Sequence, residues 1–159
     1  MLKDTRVFIH GLLGSSRGTK AAFFRERYPD MIIGDFRGTL AQRMEELTRI
    51  LTEKRSLILV GSSFGGAMAA IYGLNNEEKV KKLILLAPAL SFHEFEPYLG
   101  QTTDIPVIIY HGINDLVVSL EPVYENAHKV FKNLTFNRVD DDHVLSNTFM
   151  SMDWDTLLS

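Results

Sequence analysis

The run Leu57-Ile58-Leu59-Val60-Gly61-Ser62-Ser63-Phe64-Gly65-Gly66-Ala67 leads from four aliphatic residues, through two serines fenced by glycines, into an alanine-rich segment. Four consecutive apolar residues suit a strand buried on both faces, and Ala67 to Tyr72 suits a helix packed tightly against it. The serines then occupy a sharp strand-to-helix turn. In a G-x-S-x-G turn the serine takes a strained backbone conformation that lifts its hydroxyl above the sheet, and the positions two before and two after have no room for side chains. For Ser63 those positions are Gly61 and Gly65; for Ser62 they are Val60 and Phe64. Ser63 is therefore the candidate nucleophile. The Phe64 N–H, in the first turn of the following helix, is a candidate donor to an oxyanion, aided by the partial positive charge of the helix end. A plain packing turn would also use these glycines, so the reading needs partners elsewhere in the chain.

The rest of the sequence repeats the same alternation of short aliphatic runs with longer amphipathic ones, which favours a parallel sheet covered by helices. The runs are Val7-Phe8-Ile9, Met31-Ile32-Ile33, Leu57 to Val60, Leu83 to Leu86, Val107 to Tyr110 and a more polar Leu134 to Val139. Helices are predicted over about 18–28, 40–54, 64–74 and 120–131, with a last one from about Leu145. The second is the most regular. Leu40, Met44, Leu47 and Leu51 form its apolar stripe, and Arg43, Glu45, Glu46 and Arg49 are expected on its surface.

A chain of 159 residues, 45% hydrophobic and 23% charged, suits one globular domain, here taken as 1–159. Its net charge of -3, with no long basic tract, argues against nucleic acid and anionic membranes as partners. The absence of cysteine removes disulfides, thiolate metal sites and cysteine nucleophiles. No stretch approaches the ~18 apolar residues of a membrane span, and a cytoplasmic location is expected.

A serine hydroxyl needs a base, and the base an orienting acid. The strand Val107 to Tyr110 runs into His111-Gly112-Ile113-Asn114-Asp115, and the strand ending at Val139 runs into Asp140-Asp141-Asp142-His143. The order Ser, Asp, His, each after its own strand, selects Asp115 as acid and His143 as base. The three aspartates before His143 remain alternatives, although an immediate neighbour rarely points back at the ring; helix capping or solvation suits them better. His128 lies within an amphipathic helix, and His93 precedes Asp115 and breaks the order. His10 and His111 each stand before a glycine at a strand end, where bonding to loop backbone suits them best. A second oxyanion donor is expected from the glycine-rich loop His10-Gly11-Leu12-Leu13-Gly14: the Leu12 amide, with Leu13 in reserve.

Taken together, these motifs resemble the α/β-hydrolase superfamily, and within it the small, capless bacterial carboxylesterases. Asp35-Phe36-Arg37-Gly38 is similar to a loop many members carry, and Leu86-Ala87-Pro88-Ala89 to a frequent strand ending. The resemblance implies a minimal α/β-hydrolase fold of about six parallel strands flanked by helices, without the usual N-terminal strand pair. It also implies little or no cap domain, since only 91–104 separates two strands where larger members insert one. Phe92, Phe95 and Tyr98 in that connection are candidates for an acyl-side wall, with ordinary packing as the alternative. The elbow serine separates this chain from relatives that use Asp or Cys there. The implied activity is hydrolysis of small carboxylic esters through an acyl-serine, with no cofactor and no metal. A thioesterase or other acyl hydrolase, or a non-catalytic binding protein of the same fold, are the alternatives.

Overall fold

The aliphatic runs form strands, and their continuous apolar character reflects helices on both faces. The computed structural model describes residues 3–159. Its elements are β1 (Thr5–Ile9), α1 (Thr19–Arg27), β2 (Ile32–Ile33), α2 (Leu40–Ile50), β3 (Leu57–Ser62), α3 (Phe64–Asn75), β4 (Val80–Leu86), β5 (Val107–Gly112), α4 (Leu120–Val130), β6 (Leu134–Val139), α5 (Ser146–Ser151) and α6 (Trp154–Leu157). The six strands make one sheet in the order β2-β1-β3-β4-β5-β6, and every pairing is parallel.

Period-two alternation along the central strands divides the core. In β3, Leu57 and Leu59 join Val7, Ile9, Leu47 of α2, the apolar residues of α3, and Val123 and Ala127 of α4. Ile58 and Val60 point the other way, into Phe8, Phe24 of α1, Phe149 of α5 and Trp154 of α6. The sheet is thus the middle of three layers, which is why 7–9, 57–60 and 83–86 are continuously apolar, while Thr5, Arg6, Lys81 and Lys82 lie near the less buried starts of β1 and β4. The edge strand β6 borders only β5, and its Thr135 and Arg138 are exposed.

The connections set the site. From β1 the chain steps outward to β2 and then crosses back to β3 on the other side of β1, so the C-terminal ends of β1 and β3 flank the point where strand order reverses. Ligand crevices of open α/β sheets form at such a point. Ile9 pairs with Gly61, and Ser62 with Leu86, so the loops after β1, β3 and β4 leave the sheet at one level.

Helix α2 opens with a capping box: Thr39 Oγ1 accepts from Gln42 N–H at 3.2 Å and Gln42 Oε1 accepts from Thr39 N–H at 2.9 Å. This reciprocal cap is worth about 1 kcal/mol. The helix stops at Ile50 rather than near Lys54, because the chain turns there and both Glu53 and Ser56 take positive φ on the way into β3. Leu40, Met44, Leu47 and Leu51 face the core as expected. Arg43 departs from expectation: it is buried, since position 43 lies one turn before Leu47 on the same face. Its Nε donates to Gly38 O at 3.0 Å. Among the described residues no helix is long and apolar enough to cross a membrane.

Candidate active site

Ser63 sits between β3 and α3 with φ 56° and ψ -116°, a region sparsely populated by residues with side chains. The surroundings hold it there. Its N–H donates to Leu86 O at 2.9 Å, and its carbonyl accepts from Gly66 N–H and Ala89 N–H, both at 2.9 Å. A Cβ on Gly61 would collide with the Gly65 carbonyl, and one on Gly65 with the Ile9 carbonyl. The two glycines therefore let α3 press against the sheet ends while the serine projects outward.

The loops after β5 and β6 meet this turn. His143 Nε2 lies 3.1 Å from Ser63 Oγ, and His143 Nδ1 lies 2.7 Å from Asp115 Oδ2. With an ionised Asp115 accepting from Nδ1–H, the Nε2 lone pair is free to accept from the serine hydroxyl. The structure thus brings Ser63, His143 and Asp115 into one hydrogen-bonded chain. Asp115 is anchored at its other oxygen: Oδ1 accepts from Val117 N–H at 2.9 Å and Val118 N–H at 2.8 Å. The three aspartates before His143 serve the loop. Asp141 Oδ2 accepts from Thr148 N–H and its hydroxyl, Asp142 Oδ1 accepts from Val144 N–H, and Asp140 Oδ1 accepts from Asn114 Nδ2. Lys20 Nζ donates to Val144 O at 2.6 Å, tying α1 to the residue after His143.

His10 and His111 do more than the sequence suggested. Phe36 N–H donates to His10 Nε2 at 2.9 Å, so the ring proton is on Nδ1, which donates to Gly11 O at 2.7 Å. Gly14 N–H donates to the same carbonyl at 3.2 Å. In a trans peptide the carbonyl and the next N–H point in opposite directions. Pinning Gly11 O therefore fixes where the Leu12 N–H points. That loop runs close to the elbow: a Cβ on Gly11 would lie 3.2 Å from Ser63 Cβ and 3.8 Å from Phe64 N. The Phe64 N–H belongs to the first turn of α3, whose amides have no partner within the helix. His111 lies on the far side of Asp115. Its Nε2–H donates to Val118 O at 2.8 Å and lies 3.3 Å from Asp115 Oδ2, leaving Nδ1 buried without a partner. Both histidines stand before a glycine at a strand end, which was the available signal. Their partners come from loops distant in sequence, which was not.

Burial lowers the proton affinity of both rings below that of a free histidine, outweighing the opposing pull of the Gly11 carbonyl on His10 and of the Val118 carbonyl on His111. The unfolded chain protonates them near pH ~6.5, while the folded chain resists until lower pH. Stability therefore falls as pH drops below that value, by up to about 1.4 kcal/mol per pH unit per histidine, until the folded values are passed. The urea midpoint is expected to be lower at pH 5 than at pH 7, and the fall to be shallower in His111→Gln. Equal falls in both proteins would contradict this account of His111.

Ser63 and His143 open onto a cavity of about 480 Å³ whose apolar wall includes Leu12, Leu13, Phe92, Val117 and Val144. Leu13 is fully exposed and Val117 and Val144 largely so, which leaves an apolar rim around the opening. Of the three aromatics between β4 and β5, only Phe92 faces this cavity. Phe95 is buried in the core and stacks on Tyr98 with ring centres 5.8 Å apart, so those two pack the connection down.

Over residues 30–101, less than half of the chain, the sequence matches the family described as serine aminopeptidase, S33. No curated protein matches the chain. Several solved structures share its architecture. A protein from Thermoplasma acidophilum described as a predicted CIB-like hydrolase superposes with TM-score 0.76 at 20% identity, covering 98% of this chain and 86% of the other. Alpha/beta hydrolase domain-containing protein 10 from mouse gives 0.74 at 19%, covering 89% and 82%. An alpha-beta serine hydrolase homologue from Coxiella burnetii gives 0.72 at 17%, covering 98% and 83%.

Proposed function

The chain has the α/β-hydrolase fold, and we propose that it is a serine hydrolase cleaving small carboxylic esters through an acyl-serine intermediate. The observation that carries this reading is the hydrogen-bonded chain from Asp115 through His143 to Ser63 at the mouth of an apolar cavity.

In this reaction Ser63 Oγ attacks the ester carbonyl carbon while its proton passes to His143 Nε2. The carbonyl π pair moves onto oxygen, and the resulting oxyanion is held by the Leu12 and Phe64 amides; losing one such donor typically raises the barrier by ~3 kcal/mol. Asp115 holds the imidazole in the tautomer that accepts the proton and stabilises the cation that forms. Collapse of the tetrahedral species breaks the bond to the alcohol oxygen, which takes the proton from His143. Water then attacks the acyl-serine with His143 as base, releasing the acid and regenerating Ser63.

A cavity of this size, without a cap, suits short to medium acyl chains. A panel of p-nitrophenyl esters and acyl thioesters matched in chain length tests the substrate class. Faster turnover of the oxygen esters, with the optimum at short to medium chains, is expected. Consistently faster turnover of the thioesters would instead make the protein a thioesterase.

A further inference from the structure

The Asp35-Phe36-Arg37-Gly38 loop and Arg43 take no part in the chemistry above, yet they wall a second cavity of about 330 Å³ beside it. The two cavities share His10, Leu12, Gly14 and Ser15, so the Leu12 turn is the partition between them. Their chemistry differs: the first is lined mainly by apolar side chains, the second by two arginines and an aspartate.

Arg43 is the unusual residue there. It is 6% exposed, and its guanidinium stacks over the Phe64 ring at 5.5 Å. Its Nε donates to Gly38 O, while Nη1 is closed to solvent and has no hydrogen-bond partner. Among the described residues no carboxylate lies within 4.0 Å of Arg43 or of the exposed Arg37. Burying a cation without a counter-ion costs several kcal/mol, of which stacking on an aromatic ring offsets about 1–2. Asp35, the one carboxylate on this wall, does not supply the counter-ion. Its oxygens accept from the Ser16 N–H at 2.6 Å and the Ser16 hydroxyl at 2.7 Å, and these bonds hold it below the ordinary carboxylate range. His10 has both ring nitrogens engaged. The Arg43 guanidinium is left without an acidic partner on the wall of this cavity, and Arg37 beside it has only the longer-range attraction of Asp35.

We propose that this second cavity binds an oxyanion group, carboxylate or phosphate, on the leaving-group side of the substrate, with Arg43 and Arg37 as its ligands. The assignment rests on the ester-hydrolase reading: the acyl chain occupies the apolar cavity, the scissile carbonyl lies at Ser63, and the alcohol portion passes over the Leu12 turn. A guanidinium recognises either group through paired N–H donors.

Three butyryl esters test it: those of 4-hydroxybenzoate, of 4-hydroxyphenyl phosphate, and of the neutral methyl 4-hydroxybenzoate. The readout is the ratio of kcat/KM for each anionic ester to that for the neutral one, taken within each protein so that general losses and leaving-group reactivity cancel. Arg43→Met is expected to lower the ratio about tenfold or more, and Arg37→Gln to lower it in the same direction. The larger fall identifies carboxylate or phosphate as the preferred group. Unchanged ratios in both variants would overturn the proposal, as would a purely uniform loss of activity. If Arg43→Met does not fold by circular dichroism, Arg37→Gln decides together with competition. Benzoate or phenyl phosphate should inhibit hydrolysis of the neutral ester by the unmutated protein, and less so in Arg37→Gln; no inhibition in either protein would count against the site. Failure of the unmutated protein to cleave any of the three esters would sink the ester reading instead. Calorimetric titration with benzoate and phenyl phosphate would then read the anion site alone: heat of binding that disappears in Arg37→Gln supports it, and no heat overturns it.

Discussion

Ser63→Ala is expected to reduce hydrolysis of a short p-nitrophenyl ester by about 10⁴-fold or more, whereas Ser62→Ala keeps most of the activity. The two serines are adjacent, and their backbones set them apart. Ser62 still belongs to β3, pairing in register with Leu86. Ser63 has the positive φ that turns its side chain toward His143 Nε2 at 3.1 Å. On the proposed mechanism, removing the Ser63 hydroxyl removes the atom that forms the acyl bond, and neither His143 nor a bound water reproduces the positioned oxygen. Removing the Ser62 hydroxyl removes no hydrogen bond to His143 or Asp115. Steady-state rates of the two variants and the unmutated protein, each verified as folded by circular dichroism, check this. Equal activity in both variants would remove Ser63 from the mechanism.

Asp115→Asn carries the second large expected effect, a fall of about 10³- to 10⁴-fold in kcat with little loss of fold. The direction follows from the carboxylate's partners. Oδ1 accepts from two backbone amides, Val117 and Val118, so the amide oxygen of an asparagine takes that place and its NH₂ turns to where Oδ2 stood. That position faces His143 Nδ1 at 2.7 Å and His111 Nε2 at 3.3 Å. An N–H donor there forces His143 Nδ1 to accept, which moves the ring proton to Nε2, the atom to which the proposed mechanism passes the Ser63 proton. The imidazole keeps its place and loses its function. A kcat within a few fold of the unmutated protein would show that Asp115 does not set the tautomer.

Much of this was legible in the sequence because short-range chemistry wrote it there. Aliphatic runs marked β1 to β5 and a more polar run marked the edge strand β6, because the buried stretches of the inner strands are covered on both faces and β6 is only half-buried. The glycines at 61 and 65 singled out Ser63 because the packing of α3 against β1 leaves no space for a Cβ. Chain order singled out Asp115 and His143, which the fold then brings together across 28 residues, with His143 reaching Ser63 across 80. What the sequence hid were pairings made in space. Position 43 looked like helix surface until the Phe36–Gly38 loop covered it. His10 looked like a generic loop histidine, yet it fixes the Gly11–Leu12 peptide because the loop after β2 presents the Phe36 amide to its other nitrogen. Phe92, Phe95 and Tyr98 looked equivalent in one short connection, but its 3-10 turn over His93–Tyr98 sends Phe95 into the core and leaves Phe92 at the cavity.

The central claim is that Ser63 is a nucleophile activated by His143, and covalent labelling tests it without knowledge of the substrate. The folded protein is incubated with a fluorophosphonate and the adduct is located by peptide mass spectrometry. One adduct per chain on Ser63, absent in Ser63→Ala and strongly slowed in His143→Ala, is the predicted result. A folded protein that remains unlabelled, or that is labelled at Ser62 or elsewhere with Ser63 untouched, would contradict the account.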